Sequence, residues 1–143
     1  MACEARTLDG EEVIIAKNGN PIVKLVPLRV PKKLSQPAAR IIENEQNELL
    51  LSSVVVWEIV IKRKIGKIVF QKNNPEIFIH RVIEEYGFIP LPITSTHALE
   101  MENLPGIHRD PFDRMLISQA RVEKATLITS DRIILSYDVK TVW

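Results

Sequence analysis

Three acidic residues occupy positions from which carboxylates can work together. Glu58 lies in the second turn of a helix that follows the apolar run Leu49–Leu51, Asp113 lies in the first turn of a helix opened by Asp110-Pro111, and Asp131 comes directly after Leu127–Thr129. In open parallel sheets, ligands bind beyond the carboxyl ends of the strands, where each strand hands over to a helix. Several carboxylates at one such edge repel each other unless a cation joins them, and hard oxygen ligands at low count suit Mg²⁺ or Mn²⁺. Divalent-metal phosphoryl chemistry is the enzyme activity these residues point to.

Each acid also has a structural reading. Asp113 at the third helical position, with Asp110 at the cap, favours the positive end of a helix dipole. Asp131 fits a cap or turn. Glu58 is harder to explain, because Val54, Val55 and Ile61 are its neighbours on a largely apolar face, where an unpaired charge is costly. Its ordinary partner is Lys62 at i+4, and a surface pair of that kind contributes only ~0.3 to 0.5 kcal/mol. Lys62, Arg63, Lys64 and Lys67 form a basic cluster that either contacts a polynucleotide backbone or complements a helix C-terminus. The histidines, His80, His97 and His108, share no ligand spacing, and the single cysteine, Cys3, rules out a zinc motif. No serine or thiol triad stands out, and the five glycines are scattered, so there is no phosphate-cradling loop.

The elements that must hold these residues follow from periodicity and breakers. Val13–Ala16 and Ile22–Val26 flank Lys17-Asn18-Gly19-Asn20-Pro21 and predict a β-hairpin, followed by a basic, proline-marked connection. Ser35 caps a helix with Pro37 in its first turn. Leu49–Leu51 is a buried strand, and Ser52 or Ser53 opens a helix that Gly66 stops. Further helices are predicted from Pro75 to Tyr86, from Thr94 to about Asn103, and from Pro111 to about Lys124. Strands are predicted at Phe88-Ile89, Leu127–Thr129 and Val139–Val142, with a short helix from Arg132 to Ser136. Short apolar strands alternating with helices predict an α/β fold with a mostly parallel sheet.

Composition agrees. The 143 residues suit one compact domain, and 45% hydrophobic with 26% charged content excludes disordered and low-complexity classes. Lys plus Arg 19 against Asp plus Glu 18 leaves +1, so any nucleic-acid contact must come from a local patch. The lone cysteine and the lack of a visible secretory signal fit the reducing cytoplasm, and no apolar run reaches the length of a membrane span.

From about Leu34 to Trp143 the chain resembles the PIN domain of virulence-associated toxins, the VapC-like ribonucleases of type II toxin-antitoxin systems. The matching segments are "LSQPAARII", "ELLLSSVVVWEIVIKRKIGKI", "LPITSTHALEMENLP", "HRDPFDRMLISQA" and "TLITSDRIILSYDVKTVW", in that order. The resemblance implies a PIN-like three-layer fold with a mostly parallel central sheet flanked by helices, here preceded by the N-terminal hairpin. It also implies Mg²⁺-dependent endonucleolytic cleavage of RNA, inhibition by a cognate antitoxin, and a homodimer. The family's acidic pattern carries onto Glu58 in "WEI", Asp113 in "DPFDR" and Asp131 in "TSD" as catalytic metal ligands. Asp110 matches a recurrent acid that supports the site from behind the ligands, while Lys62, Arg63 and Lys64 are the expected RNA contacts.

The front of the chain departs from that pattern. The family opens with a central strand ending in an aspartate, and counting back without gaps puts the neutral Asn20 at that place. Residues 1–33 instead resemble an antitoxin-like hairpin and linker: "GEEVIIAKNGNPIVKLVPL" is similar to the C-terminal hairpin of prevent-host-death family antitoxins. The expected division is therefore 1–33 packed on the sheet, and 34–143 as a PIN-like domain without its first strand. Ile22–Pro27 is expected to fill the missing slot. Loss of one carboxylate implies a weaker metal site and reduced activity. The competing expectation is a catalytically inactive hybrid that binds an antitoxin or an intact toxin.

Overall fold

The computed structural model describes residues 12–14, 24–26, 35–66 and 75–143. The first two stretches are short strands, β1 (Glu12–Ile14) and β2 (Lys24–Val26), paired antiparallel with Glu12 opposite Val26. This is the expected hairpin with shorter strands; its Asn-Gly turn, Asn20, and residues Ile22, Val23 and Pro27 lie outside the described residues. Among the described residues β2 pairs with β1, and the expected placing of Ile22–Pro27 in the central slot falls in part outside the described residues.

Helix α1 (Gln36–Glu43) begins where expected, with the Ser35 hydroxyl accepting the Ala38 N–H at 3.3 Å and Pro37 in the first turn, where a missing N–H costs nothing. Strand β3 (Leu50–Ser52) is buried along its whole length, as an inner strand covered on both faces should be. Ser52 closes that strand and also caps α2 (Ser53–Lys64), its Oγ accepting the Val54 N–H at 3.0 Å. The chain therefore turns from strand to helix with no intervening loop. Gly66, at φ 72°, stops α2, and Gly87, at φ 69°, follows α3 (Pro75–Tyr86).

Strand β4 (Ile89–Leu91) runs parallel to β3, Leu50 opposite Ile89 and Leu51 opposite Pro90. It starts one residue later than predicted and carries a proline, which has no N–H to donate and therefore suits a strand with a free edge. Helix α4 (Ser95–Glu100) tightens into a 3₁₀ turn at Met101–Asn103, so the predicted helix to Asn103 is present in two forms. Then come α5 (Pro111–Val122), β5 (Thr126–Ile128), a 3₁₀ turn at Ile134–Ser136 and β6 (Lys140–Val142). Strands β5 and β6 are parallel, and the Thr129 N–H extends their ladder to the Val142 carbonyl at 3.0 Å.

The result is the expected α/β fold of five helices and short parallel strands, but the two parallel pairs, β3-β4 and β5-β6, are not joined by a ladder among the described residues. Helix α5 packs into the core that residues of both pairs share. Leu116, Ile117 and Ala120 bury against a core that includes Leu51, Val54, Val55, Leu127 and Ile128. A buried polar relay fixes the same geometry: Ser52 Oγ donates to Gln119 Oε1 at 2.5 Å, and Gln119 Nε2 donates to the Pro92 carbonyl at 3.2 Å. Strand β3, helix α5 and the segment after β4 are thereby held together. No described helix is long and apolar enough to cross a membrane.

Candidate metal centre

The two predicted aspartates meet at the carboxyl end of β5. Asp131 follows that strand in a tight turn: its N–H donates to Thr129 Oγ1 at 3.0 Å and its Oδ1 accepts the Ile133 N–H at 2.8 Å. Asp113 approaches from the first turn of α5. That turn is set by Asp110, whose Oδ1 accepts the Phe112 N–H at 2.8 Å, and by Pro111 behind it. Asp110 thus caps the helix end that carries Asp113.

A third group enters that sequence reasoning passed over. His108 Nε2 lies 3.1 Å from Asp131 Oδ2 and 3.3 Å from Asp113 Oδ2. The side chain of His108 is 9% exposed, against 16% for Asp113 and 28% for Asp131, so the imidazole forms the floor and the carboxylates face outward. One ligand atom from each of the three residues lies within 4.8 Å of the others, a spacing that fits a single metal ion. The histidine carries no motif signal, because one of its two partners, Asp131, is remote in sequence. Its only signal was position, two residues ahead of a helix cap in "HRDPFD".

The segment that presents His108 is tied down at both ends. The Tyr137 hydroxyl accepts the His108 N–H at 2.7 Å and donates to the Pro105 carbonyl at 3.0 Å. Arg114 Nη1 donates to the same carbonyl at 2.8 Å, and Nη2 reaches the Met101 and Leu104 carbonyls at 3.3 and 3.4 Å. A connection without regular structure is thus held by two side chains from regular elements and their flanks, which is how a loop becomes rigid enough to position a site.

Glu58 is not among the three clustered groups. It accepts a bond from Lys62 Nζ at 2.5 Å, with side chains only 15% and 17% exposed respectively. The i+4 lysine therefore resolves the carboxylate on an apolar face, and Lys62 is engaged by Glu58. Arg63 and Lys64 are exposed. Trp57, next to Glu58, meets Phe112, next to Asp113, edge to face with centroids 4.9 Å apart, so α2 and α5 are in contact beside the acids. His97, by contrast, is structural. It is fully buried, its Nδ1 accepts the Thr94 N–H at 3.1 Å to complete a capping box, and its Nε2 bonds Glu123 at 2.9 Å.

Parallel strands wrapped by helices, with carboxylates gathered beyond a strand's carboxyl end, define an α/β class whose site lies where such sheets bind their ligands. Within that class the chain belongs to the PIN domain family, whose model matches residues 20–140. The match reaches ahead of Leu34, where the motifs that carry the resemblance begin. No curated protein matches the chain. PIN domains are generally nucleases that depend on divalent metal ions and bind RNA.

Proposed function

We propose that this PIN domain is an endoribonuclease of the VapC-like toxin type, with Asp113 and Asp131 as the metal-holding carboxylates and Glu58 as the third acid. The observation that carries the reading is the convergence of Asp113 and Asp131 at the carboxyl end of β5. Their oxygen donors suit Mg²⁺ or Mn²⁺. Such an ion, when bound, supplies an activated water and neutralises charge on the scissile phosphate. Asp131 Oδ1 accepts the Ile133 N–H, and Asp113 stands in the first turn of α5, whose start Asp110 caps. Glu58 pairs with Lys62 in the structure, and its role as the third acid rests on the motif resemblance. Arg63 and Lys64 guide the RNA backbone.

The finer features follow from the motif resemblance: a cognate antitoxin as inhibitor, a homodimer, a cytoplasmic location, and an antitoxin-like front segment where the family has its first acidic strand. The test is cleavage of RNA by the full chain with Mg²⁺ and with a chelator. Asp113→Asn and Asp131→Asn should each lower the Mg²⁺-dependent rate by about 100-fold or more, the scale on which losing one preorganised charge-stabilising group acts. Glu58→Gln should lower it too. Cleavage that is indifferent to all three substitutions would show that the site lies elsewhere.

A further inference from the structure

The role of His108 in this site follows from its other ring nitrogen. The backbone N–H of Asp110 lies 3.1 Å from His108 Nδ1 and donates to it. A neutral imidazole has one N–H and one acceptor nitrogen, so with Nδ1 accepting, the ring proton sits on Nε2. That nitrogen faces Oδ2 of both Asp113 and Asp131. We propose that His108 is a positioning residue and not a metal ligand: its Nε2–H donates to Asp131 Oδ2 at 3.1 Å, with Asp113 Oδ2 3.3 Å from the same nitrogen, and so holds the two carboxylates at the spacing a cation needs. This rests on the metal-site reading above.

For Nε2 to bind a metal its proton would have to move to Nδ1, where it would point at the Asp110 N–H. Two donors would then face each other, and the bond that shapes the turn into α5 would be lost. The alternative costs nothing of this kind. A carboxylate oxygen carries two lone pairs, so accepting from His108 does not by itself stop an Oδ2 from meeting a cation, and Asp131 Oδ1 accepts the Ile133 N–H. The donors toward the metal are then carboxylate oxygens alone, so the site should prefer Mg²⁺ and Mn²⁺ to Zn²⁺ despite the imidazole beside it. Two like charges drawn together also gain from a shared donor when no cation is bound.

The experiment is NMR of the full chain labelled with ¹⁵N-histidine, with the His108 ring assigned through His108→Gln. The expected result is an Nε2-protonated ring in metal-free protein that keeps its proton when Mg²⁺ is added. An Nδ1-protonated ring without metal, or loss of the Nε2 proton with Mg²⁺, would overturn the proposal. Mn²⁺ binding supplies the second readout. His108→Ala should weaken it about 10- to 100-fold, as loss of a ligand-orienting partner does, and His108→Gln, whose amide N–H can donate, should recover most of that loss. Equal weakening by Ala and Gln, or none by Ala in a folded protein, would contradict it. Failure of the underlying reading looks different: Asp113→Asn and Asp131→Asn would then leave Mn²⁺ affinity unchanged, while the ring tautomer would still report on His108.

Discussion

At the scale of single residues, the site divides by how local each side chain's task is. Asp113 and Asp131 were legible because their placement follows from a helix start and a strand end, both of which have sequence signals. His108 was not, since its role depends on a residue 23 positions away. Glu58 has a partner that its own helix supplies: Lys62 at i+4 pairs with it at 2.5 Å, with both side chains largely sheltered. Lys62 is thus engaged where Arg63 and Lys64 are exposed. The double variant Arg63→Gln, Lys64→Gln should raise KM for RNA with kcat little changed. The effect should shrink as salt rises, because phosphate contacts are screened and releasing counterions into concentrated salt gains less entropy. Steady-state kinetics at two ionic strengths check this, and a loss of kcat instead would place these residues in the chemistry.

At the scale of elements, caps and stops were the most legible features. Ser35, Ser52, Thr94 and Asp110 all cap helices, each accepting the backbone N–H two or three residues on. What propensity could not show was the fixing of the irregular segment between α4 and α5, which rests on the Tyr137 hydroxyl and the Arg114 guanidinium rather than on its own residues. Tyr137→Phe removes one hydroxyl and leaves the His108 N–H and one bond to the Pro105 carbonyl unmade. It should cost about 1 to 3 kcal/mol of unfolding free energy by urea titration, the range for an unsatisfied buried group. It should also weaken divalent-ion binding, because His108 would no longer be anchored. A Tyr137→Phe protein with unchanged stability and unchanged metal affinity would show that the segment is held by other contacts.

At the scale of the whole molecule, the alternation of strand and helix gave the α/β class, and the apolar runs gave the parallel strands. The pairing of those strands was not legible, because a three-residue apolar run does not say which neighbour it will meet. Helix α5 carries the connection instead, with Ile117 fully buried in the core and Gln119 bonded to both Ser52 and the Pro92 carbonyl. Ile117→Ala should therefore destabilise the domain by about 2 to 5 kcal/mol, the cost of an internal cavity, measured by the same denaturant titration. A loss well under that range would mean that α5 is not the keystone of the core. The account as a whole stands on the position of one ion. Crystals of the full chain grown or soaked with Mn²⁺ should show an anomalous peak within coordination distance of Asp113 Oδ2 and Asp131 Oδ2, with His108 Nε2 outside that distance. A peak at any other place in a chain that cleaves RNA would contradict it.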